Sequence, residues 1–295
     1  MPHEHTETTL TQETSAADCQ NAEQHGHHEH HHEHHHEHHH DHVHSHTLSA
    51  KDSHQTVLTI RMHSGLSGDM FLAGLLCLTG LTQEELDHRL AGLMPELAGS
   101  VRLVRKEVHN IGGWHAQVDL PHQHNHRTLT DMEQIIGQSS MQPRARELAL
   151  ATFTLLAQAE GTVHGKKPEE VHFHEVGALD SILDICLTCE LMTQLNPARI
   201  IASPLPLADG SVACAHGIIP VPAPAVLELL DNIPVKPFPE EGETVTPTAI
   251  ALLRCLGAEF GPWPAMCIEK KALVYGTRVF DNAPNGTVFA YGRQL

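Results

Sequence analysis

The feature that most constrains this chain is a change of character near residue 55. Residues 1–54 hold ten acids, one lysine and 18 of the 29 histidines, with almost no apolar clusters. A segment of that make-up cannot bury enough surface to offset the entropy of ordering, so it is expected to be a disordered tail. Folding then falls to residues 55–295, expected to form one globular body. That body carries 17 basic and 26 acidic residues, a net charge of -9 within the chain's -18. Such a balance argues against a nucleic-acid groove, which needs a basic stripe, and suits a protein that concentrates cations. No apolar run approaches the 18 residues of a membrane span, and the polar N-terminus lacks the pattern of a signal peptide. The seven cysteines are odd in number and scattered, which is no disulfide framework; a cytoplasmic location is the expectation.

Within the tail an acid recurs at every fourth position. Glu29 precedes His30 to His32, Glu33 precedes His34 to His36, and Glu37 precedes His38 to His40. Purification tags are usually unbroken histidine blocks, so the interruptions favour a native metal-binding tail. If the segment folds around metal, a period of four stacks His30, His34 and His38 on one helical face. Imidazole suits nickel, zinc, copper and cobalt alike, so the tail alone names no metal.

The body begins with a strand-like run, Val57 to Met62, followed by a small-residue loop and an apolar helix from near Asp69 to Thr79. Thr82-Gln83-Glu84-Glu85 reads as a capping box opening a second helix. Strands over 101–108 and 114–120 are expected to be joined by Asn110-Ile111-Gly112-Gly113. Pro143 suits the first turn of a helix over 143–160. Further helices are expected near 178–195, 224–230 and 247–256, and strands near 199–203, 209–214, 266–275 and 286–291. Helices and strands mix without strict alternation, so the class is α/β with a mixed α+β arrangement left open.

Several segments could carry chemistry. On an extended His172-Phe173-His174-Glu175 the two imidazoles share a face while Phe173 points inward. With Glu175 beside them they could serve a metal, or they could be hydrogen-bonded structural histidines. Asp180 and Asp184 follow at helical spacing and share a face, as ligands or as ordinary helix charges. The loop Ser64-Gly65-Leu66-Ser67-Gly68-Asp69 joins a strand to a helix start, where backbone N–H groups favour anions. It lacks the ending of a Walker A loop, and a capped tight turn is the plainer alternative. Cys214-Ala215-His216-Gly217 pairs a thiol with an imidazole, whereas Cys186 and Cys189 read as core filling. Pro220 to Pro224 looks like a rigid helix entry, and Thr244 to Thr248 like a cap.

Taken in order, these segments resemble the LarC family, the nickel-insertion proteins of nickel-pincer cofactor biosynthesis. The residues that carry the resemblance are Ser64 to Met70, Val171 to Ala178 with Asp180 and Asp184, and Ser203 to Leu207. Cys214 to Gly217, Pro220 to Pro224 and Thr246 to Thr248 complete it, and the similarity covers about 56–292. The resemblance implies nickel insertion into pyridinium-3,5-bisthiocarboxylic acid mononucleotide, a cyclometallase (chelatase) activity of the lyase class. Nickel storage or metallochaperone service without catalysis is the alternative.

It further implies the mononucleotide phosphate as ligand of Ser64, Gly65, Ser67, Gly68 and Asp69. His172, His174, Asp180, Asp184 and His216 become metal ligands, together with His30, His34 and His38 of the tail. Glu175 or His174 becomes the base for the ring proton. The family reaction depends on CTP with Mg(2+) or Mn(2+), and longer members continue into a nucleotide-binding C-terminal domain. This sequence stops at Leu295, so CTP use is not expected of this chain by itself, and a separate chain that supplies such a domain is left open. The other partners expected are nickel and the mononucleotide; a homo-oligomer is left open, and neither nucleic acid nor membrane is expected. Two departures stand out. Arg61-Met62-His63 occupies the place where the family commonly has an Asp and an aromatic, so a candidate ligand is lost and His63 could replace it. Only His122, His124 and His126 remain where many relatives carry a histidine-rich insertion.

Overall fold

The computed structural model describes residues 55–120, 127–173, 179–214 and 217–295. The expectations for residues 1–54, and those on His122, His124, His126, His174, Glu175 and His216, lie outside the described residues.

Eleven strands are described: β1 Thr56–Met62, β2 Val101–Val108, β3 Ile111–Val118, β4 Arg199–Ala202, β5 Leu205–Leu207, β6 Ser211–Cys214, β7 Gly217–Pro220, β8 Val235–Pro237, β9 Glu259–Phe260, β10 Met266–Val274 and β11 Thr287–Gln294. The helices are α1 Gly68–Thr79, α2 Gln83–Leu93, α3 Leu129–Gln138, α4 Pro143–His164, α5 Leu179–Leu195, α6 Pro224–Leu229 and α7 Pro247–Cys255. Seven strands form one mixed sheet in the order β2-β3-β10-β11-β1-β4-β9. β1, β4 and β9 run parallel, while β11 pairs antiparallel with both β1 and β10. Two small two-stranded sheets, β5-β8 and β6-β7, lie apart from it. The class is therefore α/β, with two antiparallel hairpins, β10–β11 and β2–β3, extending a parallel group at one edge.

The core explains the order of layers. α1 buries residues on every side, including Met70 to Leu76 and Leu78, as a helix covered all round must. It packs against the sheet through β3, β10 and β11 and against α5, which in turn packs on α4. Gly74 permits the close approach, because a Cβ there would fall 2.5 Å from the Phe289 ring of β11. Phe71 meets the same ring edge-on, with centroids 5.8 Å apart.

Local signals place most of these elements. Thr82 caps α2 through the reciprocal box with Glu85, and Thr246 caps α7 by accepting from the Ala249 N–H. The Pro220 to Pro224 run enters α6 with Pro224 at its first position, as its composition suggests. Cys186 and Cys189 are buried in α5 as core filling. No helix among the described residues is long and apolar enough to cross a membrane.

Candidate functional site

The chain leaves the carboxyl end of β1 into the loop His63 to Ser67, and this loop is held from three directions. The N–H groups of His63 and Ser64 donate to the Gly286 carbonyl at 3.2 and 3.3 Å, and the Gly286 N–H donates back to Ser64 Oγ at 2.8 Å. Leu66 N–H donates to the Thr244 carbonyl at 2.9 Å, and the Thr287 hydroxyl donates to the Gly65 carbonyl. Gly65 sits at φ 119, and a Cβ on it would lie 1.7 Å from the Thr244 oxygen, so no other residue fits. The amides at 63, 64 and 66 are thus taken up by the fold.

What lies beside that helix start is negative. A Cβ on Gly68 would lie 2.0 Å from Asp184 Oδ2, so α5 delivers its carboxyl directly against the first residue of α1. Asp184 Oδ1 is sealed from solvent and has no hydrogen-bond partner. Burial, with Asp69 and Asp180 adding their charges, pushes the Asp184 carboxyl well above the ordinary carboxylate range. Asp69 accepts from the Ser67 hydroxyl through Oδ1, and its Oδ2 stands 3.8 Å from His115 Nδ1. Since His115 Nδ1 also lies 2.9 Å from the Tyr275 carbonyl, which can only accept, that nitrogen carries the proton. In the neutral ring Nε2 is then the free base. Asp180, exposed in the first turn of α5, accepts from the Ser181 N–H.

Asp69 and Asp180 thus both lie near enough to Asp184 for their charges to act on it. His172 is exposed, while Phe173 is buried and its N–H donates to the Arg127 carbonyl at 3.0 Å. His172 is a minor contributor, after the Thr128 N–H and hydroxyl, to holding the Asp131 carboxyl below its ordinary value. No described contact ties it to Asp184. Among the described residues, no three His, Cys, Asp or Glu side chains converge closely enough to cage a metal. Cys214 lines a cavity of about 360 Å³ with Glu160, His164 and Glu243, where His164 Nε2 stands 3.4 Å from Glu160 Oε2.

A family model described as nickel insertion protein matches residues 58–291. The chain belongs to the nickel insertion protein family. A putative nickel insertion protein of Myxococcus xanthus is 40% identical over 241 residues, which is 80% of this chain and 60% of the relative. A pyridinium-3,5-bisthiocarboxylic acid mononucleotide nickel insertion protein of Desulfitobacterium hafniense is 41% identical over 219 residues, covering 74% of this chain and 53% of the relative. One of the same name from Staphylococcus saprophyticus is 35% identical over 224 residues, or 76% and 57% of the two chains. The chain thus spans little more than half the length of these curated relatives. No solved structure matches it.

Family membership supports the resemblance carried by the motifs, and the matched span includes both Ser64 to Asp69 and Asp184. Two groups beside this site escape a reading by motif. His115 sits mid-strand in β3 without a metal-type spacing. Lys236, in the short strand β8, donates to the Met62 carbonyl at 2.9 Å, and only the fold brings it to the end of β1.

Proposed function

We propose that this chain handles nickel for insertion into pyridinium-3,5-bisthiocarboxylic acid mononucleotide, yielding the nickel-pincer nucleotide. The observation that carries the proposal is the Asp184 carboxyl lodged against Gly68 with an unsatisfied oxygen, beside Asp69 and Asp180. A carboxyl held this way is short of a positive partner. Burial favours its protonated form, and a metal ion that displaces the proton would supply the missing positive charge. Hard carboxylates hold nickel loosely compared with sulfur, so the two thiocarboxylates of the substrate would draw the ion off.

His172, His174 and His216 are proposed as further ligands, and the tail histidines His30, His34 and His38 as collectors that raise the local nickel concentration. Forming a nickel–carbon bond also releases a ring proton. Glu175 or His174, immediately ahead of α5 in the sequence, is the proposed acceptor. The mononucleotide phosphate is proposed to bind along the loop that runs from Ser64 through Gly65, Ser67 and Gly68 to Asp69. The cytoplasm is the proposed setting.

A second reading, nickel storage or metallochaperone service, is favoured by one observation. The described residues alone form no metal cage, while 18 of the 29 histidines sit in the first 54 residues. The two readings part in one assay. The purified chain is incubated with the nickel-free mononucleotide, nickel and CTP, with and without a nucleotide-binding partner chain, and product is read by mass. Nickelated mononucleotide is expected. Bound nickel with no product in either arm would leave storage as the function.

A further inference from the structure

Around the end of β1 lies a second cluster, of opposite charge to the carboxylates. Arg61 is buried, with its guanidinium donating to the Gly261 carbonyl and lying 5.5 Å from the centre of the Trp263 ring. His63 is exposed at the start of the loop, and Lys236 reaches the Met62 carbonyl from β8. No one of the three makes an ion pair with a carboxylate among the described residues. Burial lowers all three, and for Arg61 it is the whole of the cause. His63 is lowered by burial and then by Lys236 and Arg61, and Lys236 by burial and then by Arg61. In a chain of net charge -18, acids to neutralise them would have been easy to place. Arg61 and Lys236 are thus cations without a carboxylate partner among the described residues, a setting that favours an anion.

The position adds a second argument. Open α/β sheets hold ligands outside the carboxyl ends of their parallel strands. The ends of β1, β4 and β9 meet here. Met62 N–H donates to Ser203 Oγ at 2.9 Å just beyond β4, and Gly261 follows β9. Trp263, one of two tryptophans in the chain, stands 50% exposed beside the cations. An indole offers a π face on which a planar, positively charged ring stacks by both dispersion and cation–π attraction. A phosphate close to a flat cationic ring describes a pyridinium ribonucleoside monophosphate.

We infer that Lys236 and His63, backed by Arg61, bind the phosphate of a pyridinium mononucleotide whose ring stacks on Trp263. This deepens the proposed function, on which its choice of ligand rests. It sets the organic substrate at the cationic end of the loop and nickel at the Asp184 end. Lys236 makes a charge-assisted bond to the phosphate, His63 donates a ring N–H, and Arg61 supplies charge from beneath while fixing the indole.

The test is calorimetric titration of the full chain, free of metal, with nicotinate mononucleotide. Nicotinate riboside, which lacks the phosphate, and inorganic phosphate, which lacks the ring, serve as the other ligands. The mononucleotide should bind more tightly than either fragment. Lys236→Gln should weaken mononucleotide binding by about 10–100-fold, the usual worth of a hydrogen bond to a charged group. Lys236→Arg keeps the charge and should retain binding, which separates a lost contact from a misfolded loop. Trp263→Leu should weaken the mononucleotide and the riboside but leave inorganic phosphate unchanged. Equal affinity of wild type and Lys236→Gln for the mononucleotide would overturn the inference, as would failure of the mononucleotide to bind at all. Binding with this pattern but no nickel insertion would sink the catalytic reading alone.

Discussion

Replacing Gly68 by Ala tests the contact on which the carboxylate site depends. The new Cβ would fall 2.0 Å from Asp184 Oδ2, 2.6 Å from its Cγ and 2.8 Å from its Cβ. Comfortable carbon contacts begin near 3.5 Å, so the side chain must swing away or α1 and α5 must part by roughly an ångström. Overpacking of this kind costs about 1–3 kcal/mol. Alanine by itself favours a helix over glycine by up to about 1 kcal/mol, so any loss measures the clash against a favourable background. For a body of this size 1 kcal/mol moves the melting point by about 2–4 °C, giving a fall of about 2–12 °C. Differential scanning fluorimetry in chelator reads it directly. The pairing with Asp184→Ala makes the argument specific. That change removes Oδ2 and Cγ, so Gly68→Ala should cost far less in its presence, with a coupling within the ~0.5–3 kcal/mol seen for touching residues. A melting point unchanged by Gly68→Ala, or strict additivity of the two changes, would refute the reasoning.

Three further outcomes follow from the same structure. The Asp184 carboxyl titrates above its unfolded value of 3.8, so its stability contribution is complete below that pH and is lost as pH rises through the folded value. Metal-free Asp184→Asn should therefore be more stable than wild type at neutral pH, with the gap closing in acid; urea midpoints across pH check this, and a pH-independent gap would count against it. Cys267 is exposed, whereas Cys186 and Cys189 are buried with thiols pushed up chiefly by burial. Peptide mapping after brief alkylation should find Cys267 modified, and those two only after unfolding. Phe71→Ala removes the ring that meets Phe289 edge-on and should cost about 3–5 kcal/mol in denaturant unfolding. A loss under 1 kcal/mol would mean that α1 is not the core element described.

Much of the fold was legible because short-range chemistry marks its boundaries. The Thr82–Glu85 box, the Gly following α1 and the prolines opening α4, α6 and α7 act within a turn or two. Where tertiary contacts decide, local sequence misleads. Asn110 to Gly113 looked like a turn because of its glycines. The turn is instead at His109 and Asn110, both at positive φ; Gly113 pairs with Lys106 within β3, and is glycine there because a Cβ would strike the Tyr275 ring at 2.5 Å. α4 runs on to His164 through Gly161, where a side chain would meet the Lys166 carbonyl. α3 carries weak local signals: its box is Thr128 with Asp131 in place of the usual Glu, and its buried residues are Met132 and Ile136.

The site was legible to a similar depth. Helical spacing put Asp180 and Asp184 on one face, but it could not show that one is exposed and the other wedged against Gly68. The loop at Ser64 to Asp69 announced itself through small residues. The use of its amides by Gly286 and Thr244 depends on segments some 180–220 residues away and leaves no local trace. The same holds for Lys236.

The most direct measurement compares the wild-type chain with Asp184→Asn in the nickel-insertion assay, reading nickelated mononucleotide by mass at equal protein, nickel and CTP with the nucleotide-binding partner chain present. The account predicts product from the wild type and a fall of about 10–100-fold in the variant, as for loss of a group that holds or orients a metal. Equal yields from the two proteins would contradict it.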